Sequence, residues 1–521
     1  MKLEFALTEK QHKDVRDRLF GEKKLQPNDP EHGFLAAILT ATGSSRRTLL
    51  LGPIIDPNPG DVSWSPKTGL VMSHKYYSRA LSAIQLLPGA GLINVHSHPR
   101  PETGIAPPKP SREDLAADSK ELCFVSRALP DGRPVAAGIV TQGGGISVRE
   151  YAFRRPRSAV EAQSREFGPT GATIVFAERI RIVGPGLRIL PGNPSTTAAQ
   201  QEDIDVNIND SSILLWGERG QRILSGLSVG IAGCGGVGGI LAEHLARLGV
   251  GTLVLVDYDR LDLANFNRSQ GATRSDVESR QPKVEVYARI ASSAATAPNF
   301  KVLAFRESVA EPAGLKPLLD CDIVVGAADD AFARQVLDHA AYSHLIPVID
   351  GGTTLIPNFV SMTLQAGKSQ VVSAGPEHAC LECQGVYTRE EATVARESAS
   401  WGKYVVTDAD AEQSTKEALR APSVICNNAL VAGLIGLRIL GIALGVTPAT
   451  VRGTQRYYVE SGTLAWGAVK KCKPDCPKPS WIGLGDLHFV PTGVDLRWRE
   501  MREREAKEPE TALDIDDYGK T

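Results

Sequence analysis

The chain has 521 residues, which at about 100–200 residues per domain points to about two to four domains. It is 42% hydrophobic and 23% charged, close to an ordinary folded protein, which excludes wholesale disorder. A formal net charge of −2 excludes the strongly basic balance of a dedicated nucleic-acid binder, and eight cysteines are too sparse for a disulfide scaffold.

The N-terminal stretch MKLEFALTEKQHKDVRDRLF lacks the apolar core of a signal peptide. Gly33–Thr40 reads as a buried strand and Tyr76–Leu87 as a helix with an apolar face. Gly91–His98 reads as an apolar strand ending in two histidines. At i, i+2 on a strand, His96 and His98 share one face, about 6–7 Å apart at the backbone, which suits two ligands of one Zn²⁺. Ser111 is a natural N-cap, and Asp114, one turn into the helix it opens, offers a third ligand. Three protein ligands leave a fourth position, the pattern of a catalytic zinc rather than a structural one. A nearby carboxylate must then take a proton. Glu31, just before the first buried strand, is the candidate, with Glu102 and Glu113 as competitors.

Glu31, His96-Ser97-His98-Pro99 and Ser111-Arg112-Glu113-Asp114 together resemble the signature of the JAMM/MPN metalloproteases. The resemblance implies an N-terminal α/β domain that hydrolyses peptide or isopeptide bonds after ubiquitin-like C-termini. It implies catalytic zinc on His96, His98 and Asp114, Glu31 as general acid/base, and Ser111 polarising the scissile carbonyl. The stretch 99–110 is longer than is usual in that family.

Gly192–Asp210 is polar and reads as a linker. Leu227–Ala232 then reads as a strand that runs into Gly233-Cys-Gly-Gly-Val-Gly238 and an amphipathic helix, an arrangement suited to phosphate. A second strand, Gly251–Val256, ends in Asp257, about 20 residues beyond the glycines, where an acid binds ribose hydroxyls. To this point an NAD(P) oxidoreductase reads equally well. Downstream come Asp259, Asn265, Arg268 and Lys283, cations that suit a triphosphate and that hydride transfer does not need. The strand Asp322–Ala327 leads to Asp329-Asp330 and Arg334, and an acid at that strand end suits Mg²⁺.

This ordered series resembles the ThiF/MoeB/ubiquitin-activating superfamily. The resemblance implies a Rossmann-like, mainly parallel sheet that adenylates the C-terminal glycine of a ubiquitin-like protein with ATP and Mg²⁺. It implies that Gly233, Gly235, Gly236 and Gly238 cradle ATP and that Asp257 and Asp259 serve the nucleotide. Asn265 and the catalytic Arg268 and Lys283 contact phosphates, and Asp329 binds Mg²⁺.

Cys380-Leu-Glu-Cys383 and Cys472-Lys-Pro-Asp-Cys476 offer four thiolates for a structural zinc. Cys123, Cys234 and Cys321 read as small core residues. Ala429–Val446 is interrupted by Arg438 and borderline for a membrane span; it reads as a core helix, so a cytoplasmic location is expected. Cys426, at the start of that helix, is expected to be buried. The loop 384–425 contains no cysteine for a thioester. That leaves direct transfer of the adenylate, an oxyester on Ser398, Ser400, Ser414 or Thr415, or an exposed Cys426.

The expected organisation is a JAMM/MPN-like domain at 1–190, a linker at 191–210, an adenylation domain at 211–496 and a charged surface helix and tail at 497–521. The whole is similar to prokaryotic fusions that belong to ubiquitin-like conjugation systems. The partners implied are a ubiquitin-like protein with a C-terminal glycine, a conjugating enzyme and a second copy in a homodimer through the activating domain. No nucleic acid or membrane is expected. The alternatives are sulfur-carrier activation with an associated peptidase, and a non-catalytic scaffold for ubiquitin-like tails.

Overall fold

A computed structural model describes residues 1–21, 29–65, 69–98, 105–153, 172–195, 204–358, 361, 363–397, 422–446 and 453–507. Glu102, Pro99 to Gly104, and the hydroxyls of Ser398, Ser400, Ser414 and Thr415 lie outside the described residues. The chain forms two units. The first comprises Met1–Gln200 with Ser343–Leu345 and Ser480–Phe489, and the second comprises the rest.

The first unit is built on β1 (Lys2–Thr8), β2 (Gly33–Thr42), β3 (Arg46–Ile55), β4 (Val62–Ser65), β5 (Gly69–Met72), β6 (Gly91–His98), β7 (Val135–Thr141), β8 (Ile146–Phe153), β9 (Ala172–Phe176), β10 (Arg179–Val183) and β11 (Leu187–Pro191). All but the β4–β5 hairpin form one mixed sheet in the order β11-β10-β1-β3-β2-β6-β7-β8-β9. β2 and β6 are near-continuous apolar runs, buried on both faces, as central strands covered from both sides must be. Phe34, Ile38, Leu49, Val95 and Ile180 belong to one core cluster. The helices Glu9–Phe20, His74–Gln85 and Arg112–Ala128 each open on a hydroxyl cap, from Thr8, Ser73 and Ser111, which satisfies a backbone N–H left over by the first turn.

The second unit contains β12 (Ser228–Ala232), β13 (Thr252–Val256), β14 (Lys301–Phe305), β15 (Ile323–Gly326), β16 (Val348–Asn358), β17 (Thr363–Ala374), β18 (Gln455–Tyr458) and β19 (Thr463–Trp466), in the order β14-β13-β12-β15-β16-β17-β18-β19. β14 through β16 are parallel, which gives the expected Rossmann-like sheet. From β16 to β19 the pairing turns antiparallel. The apolar segment forms the helix Ile425–Leu444, long and apolar enough by composition to cross a membrane, and 61% of its most apolar window is buried within the protein. Arg438 is fully buried there and donates to Ser373 Oγ (3.2 Å), the Gly453 carbonyl (3.1 Å) and Gln455 Oε1 (3.0 Å). These neutral acceptors leave burial dominant, and its pKa falls to about 10.

The charged segment beyond residue 496 departs from a wholly solvated face. It forms the helix Leu496–Lys507, with Trp498 buried and stacked on Tyr258 at 5.5 Å.

Candidate functional site

Two groups of chemistry-bearing residues assemble, one in each unit. In the second, β12 delivers the chain into a glycine turn before the helix Gly236–Arg247. Gly233 has φ +95°, a conformation that disfavours side chains, and lies against the backbone of Ala327–Ala328. A Cβ on Gly238 would fall 1.9 Å from the Gly233 carbonyl oxygen, so the helix can sit tight behind the turn only with glycine. By contrast a Cβ on Gly235 would meet nothing within 4 Å, because that residue faces an open cleft of about 600 Å³.

The cleft wall collects Asp257, Asp259, Asn265, Arg268, Lys283 and Asp329 with Gly233, Gly235 and Gly236. Gly238 is absent from the wall and acts through packing behind it. Asp257, at the end of β13, accepts the backbone N–H of Cys234 (2.6 Å) and of Asp259 (2.7 Å), one at each oxygen. It thus ties the glycine turn to the next strand and keeps lone pairs for another donor. Burial, only partly offset by Lys283, pushes its pKa up to about 6. Lys283 is 7% exposed and donates to Asp259 Oδ2 at 2.6 Å. Burial opposes its charge, but Asp257, Asp259 and Asp329 outweigh burial and hold the ammonium above its usual pKa. Arg268 and Asn265 lie on the short 3-10 segment Leu263–Arg268, capped by Asp262. Asp329 is exposed, whereas Asp330 turns inward to accept the Phe332 N–H at 2.7 Å.

Sequence reasoning missed Asn428, Ser308 and Asp495, which also line the cleft. Asn428 comes from the apolar helix, and its amide would lie 2.2 Å from a Cβ on Gly236. Ser308 donates to Asp495 Oδ2 at 2.6 Å, and Asp495 caps the last helix through the N–H groups of Arg497 and Trp498. The cap pattern was readable in sequence; its return to Ser308, 187 residues away, was not.

Cys380, Cys383, Cys472 and Cys476 converge, with their sulfurs all within 4.8 Å of one another. Cys380 caps the short helix Leu381–Gln384, and the Cys380 and Lys473 N–H groups donate to Cys472 and Cys383 sulfur. Four thiols with backbone N–H donors suit a tetrahedral ion. Cys123, Cys234 and Cys321 are buried as expected. Cys426 is a correction. It is exposed, because the helix Ile425–Leu444 turns Asn428 inward in its first turn and leaves Cys426 on the outer side.

In the first unit Gly33 pairs with His96 and the Ser97 N–H donates to the His32 carbonyl, so Glu31 leads into β2 at the end where β6 delivers the histidines. His96 Nε2 lies 3.5 Å from Asp114 Oδ1, and His98 Nε2 lies 3.3 Å from Asp114 Oδ2. His96 Nε2 is buried with no hydrogen-bond partner, an orphan that a cation would satisfy. Burial opposes ionisation of Asp114, yet the two histidines hold its carboxyl well below the usual range. Ser111 and Asp114 form a reciprocal capping box. The Asp114 N–H donates to Ser111 Oγ (3.0 Å) and the Ser111 N–H to Asp114 Oδ2 (2.7 Å). Behind the triad, Asn94 on β6 donates to Asp118 Oδ1 (3.0 Å), and Arg149 and Tyr151 bond the other oxygen. This buried network locks the helix carrying Asp114 to the strand carrying the histidines. Glu113 is exposed.

A model of the ThiF family matches residues 209–478. Ubiquitin-like modifier-activating enzyme 5 of Branchiostoma floridae is 32% identical over 167 residues, covering 30% of this chain and 38% of that protein. The tRNA threonylcarbamoyladenosine dehydratase of Bacillus subtilis (strain 168) is 47% identical over 76 residues, covering 14% of this chain and 29% of that protein. Adenylyltransferase and sulfurtransferase MOCS3 of Danio rerio is 27% identical over 169 residues, covering 32% of this chain and 34% of that protein. The chain thus spans well under half the length of these curated relatives. With more than half of its residues matched by the family model, the chain belongs to the ThiF family.

Proposed function

We propose that the chain is a bifunctional enzyme. Its second unit adenylates the C-terminal glycine of a ubiquitin-like protein with ATP and Mg²⁺. Its first, a JAMM/MPN-type peptidase, cleaves ubiquitin-like precursors or conjugates. The observation that carries the reading is the gathering of Lys283, Arg268, Asn265 and the open Gly235 around one cleft. A carboxylate attacking an α-phosphate builds negative charge, which cations and backbone N–H donors stabilise. Asp257 keeps lone pairs for ribose hydroxyls. Asp259 stores the Lys283 ammonium until phosphates compete for it. Asp329 faces the cleft as a Mg²⁺ ligand.

At the first site His96, His98 and Asp114 would hold zinc, and Glu31 would take a proton from the attacking water. Ser111 Oγ accepts a helix N–H and so keeps its own O–H free to donate to a carbonyl oxygen. A zinc ion there supplies Lewis acidity for amide hydrolysis. The four cysteines would hold a second, structural zinc. Exposed Leu214 and Leu215 on the helix Asp210–Ser225 support a homodimer through this unit, and the buried apolar helix supports a cytoplasmic protein.

A second reading, sulfur-carrier activation, is favoured by the lack of a cysteine in 384–425. Covalent, thiol-sensitive adducts between the protein and its partner, lost in Cys426→Ala, would select conjugation. The central test is ATP–pyrophosphate exchange dependent on a partner ending in glycine. Lys283→Ala should lower it at least about 100-fold and His96→Ala should leave it unchanged. If neither substitution alters exchange or peptide cleavage, the chain is a scaffold.

A further inference from the structure

Gly352 and Thr353 line the cleft where β16 passes into the antiparallel half of the sheet. Pairing register decides which side chains share a face there. Gly352 opposes Gln370 and Thr354 opposes Lys368 across β16–β17, and Gln370 opposes Arg456 across β17–β18. Directly opposed residues point the same way, so Lys368 and Arg456 stand on the face of Gly352. Arg334 joins them, its guanidinium 3.3 Å from where a Cβ on Gly352 would be. Gly351 points the other way, onto Val431 and Ile435 of the apolar helix. Three cations therefore gather on the face opposite that helix, leading away from the cleft.

Arg334 is tied to Asp350 at 3.2 Å. Among the described residues neither Lys368 nor Arg456 has a carboxylate partner, and Arg456 Nε is buried without a hydrogen bond. Half-burial, with Arg456 and Arg334 beside it, pushes the Lys368 ammonium below its usual pKa. The acid on this face, Asp350, is taken up by Arg334, so Lys368 and Arg456 are like charges whose proximity costs free energy until an anion joins them. The phosphates of a nucleotide already have donors of their own at the glycine turn, Arg268 and Lys283. From Gly352 to Lys368 is one strand spacing and one residue pair, roughly 8 Å, or two to three residues of extended chain.

Resting on the adenylation reading, we infer that this face is the track for the extended tail of the protein substrate. Lys368 and Arg456 select tails with an acidic side chain a few residues before the terminal carboxylate. The occupant is thus an acidic, extended peptide segment ending in glycine.

The test uses the full chain, ATP, and fluorescent hexapeptides ending in Gly-Gly that carry Glu or Gln at the fourth position from the end. The wild type should bind the Glu peptide about tenfold tighter than the Gln peptide at low salt. Lys368→Gln with Arg456→Gln should erase that preference while leaving ATP affinity unchanged. Lys368→Glu should turn the preference toward a Lys peptide. Equal binding of the Glu and Gln peptides, or a preference surviving in the double variant, would overturn the inference. So would a fall in ATP affinity in the double variant, which would assign the cations to the nucleotide. Tighter binding of a single-stranded oligonucleotide through the same two residues would also overturn it. Loss of ATP binding by the wild type would instead sink the adenylation reading itself, so the two failures are distinguishable.

Discussion

The His–His–Asp triad and the glycine-turn cleft are assembled over very different lengths of chain. The triad draws on one strand end and the first turn of one helix, with Glu31 two residues before the adjoining strand. The cleft draws on segments from Gly233 to Asp495, brought together only when the whole second sheet has formed. The triad is therefore a local device held by one buried network, Asn94–Asp118–Arg149. The cleft is a property of a fold. Damage to the fold should reach the cleft first and spare the triad.

Metal removal is the largest test of that contrast. Cys472→Ser with Cys476→Ser should remove one zinc equivalent, measured by elemental mass spectrometry, and lower the Tm of the second unit by about 10 °C or more. His96→Ala with His98→Ala should remove a different equivalent with a much smaller fall in Tm, since those ligands sit at a strand end. Equal thermal losses from both pairs would remove the distinction between a structural and an open site.

A glycine pair sharpens the cleft side. Gly238→Ala forces a methyl to 1.9 Å from a carbonyl oxygen and should cost about 3 kcal/mol in urea unfolding. Gly235→Ala meets nothing and should keep its Tm within a few degrees, yet bind ATP about tenfold more weakly by calorimetry. Normal ATP affinity in Gly235→Ala would place the phosphates elsewhere.

The smallest effect is a pH slope. The Asp257 pKa rises on folding from 3.8 to about 6, so folding takes up a proton between those values. Its stabilising contribution is full below about 3.8 and is lost as pH rises through about 6. The wild type should therefore gain stability relative to Asp257→Asn as pH falls from 7 to 4.5, read from urea midpoints. A flat difference would mean that Lys283 keeps the carboxyl ionised throughout.

The local signals were legible for physical reasons. The strand Gly91–His98 is bounded where its apolar run stops, and Ser111 caps the helix whose first turn carries Asp114, as its spacing to Asp114 announced. The strand–glycine–helix order at β12 needed only adjacent residues. Cys426 failed because an apolar sequence around a helix start does not say which side the first turn presents. Asp495 and Asn428 failed because their place in the cleft depends on contacts across long stretches of chain.

By itself, then, the sequence determined the α/β character of the chain, the glycine turn, the paired cysteines and the H-x-H…S-x-x-D spacing, because each is written in neighbouring residues. Only the tertiary structure decided that four cysteines from two distant pairs meet and that Asp257 is occupied by two backbone donors. It alone decided that Asp495 returns to the cleft and that Lys368 and Arg456 share a face on which, among the described residues, the acid Asp350 is paired with Arg334. The shared face of Lys368 and Arg456 follows from strand register, since a one-residue slip would send each to the other face, whereas the cysteines and Asp495 are brought in by loops and helix ends.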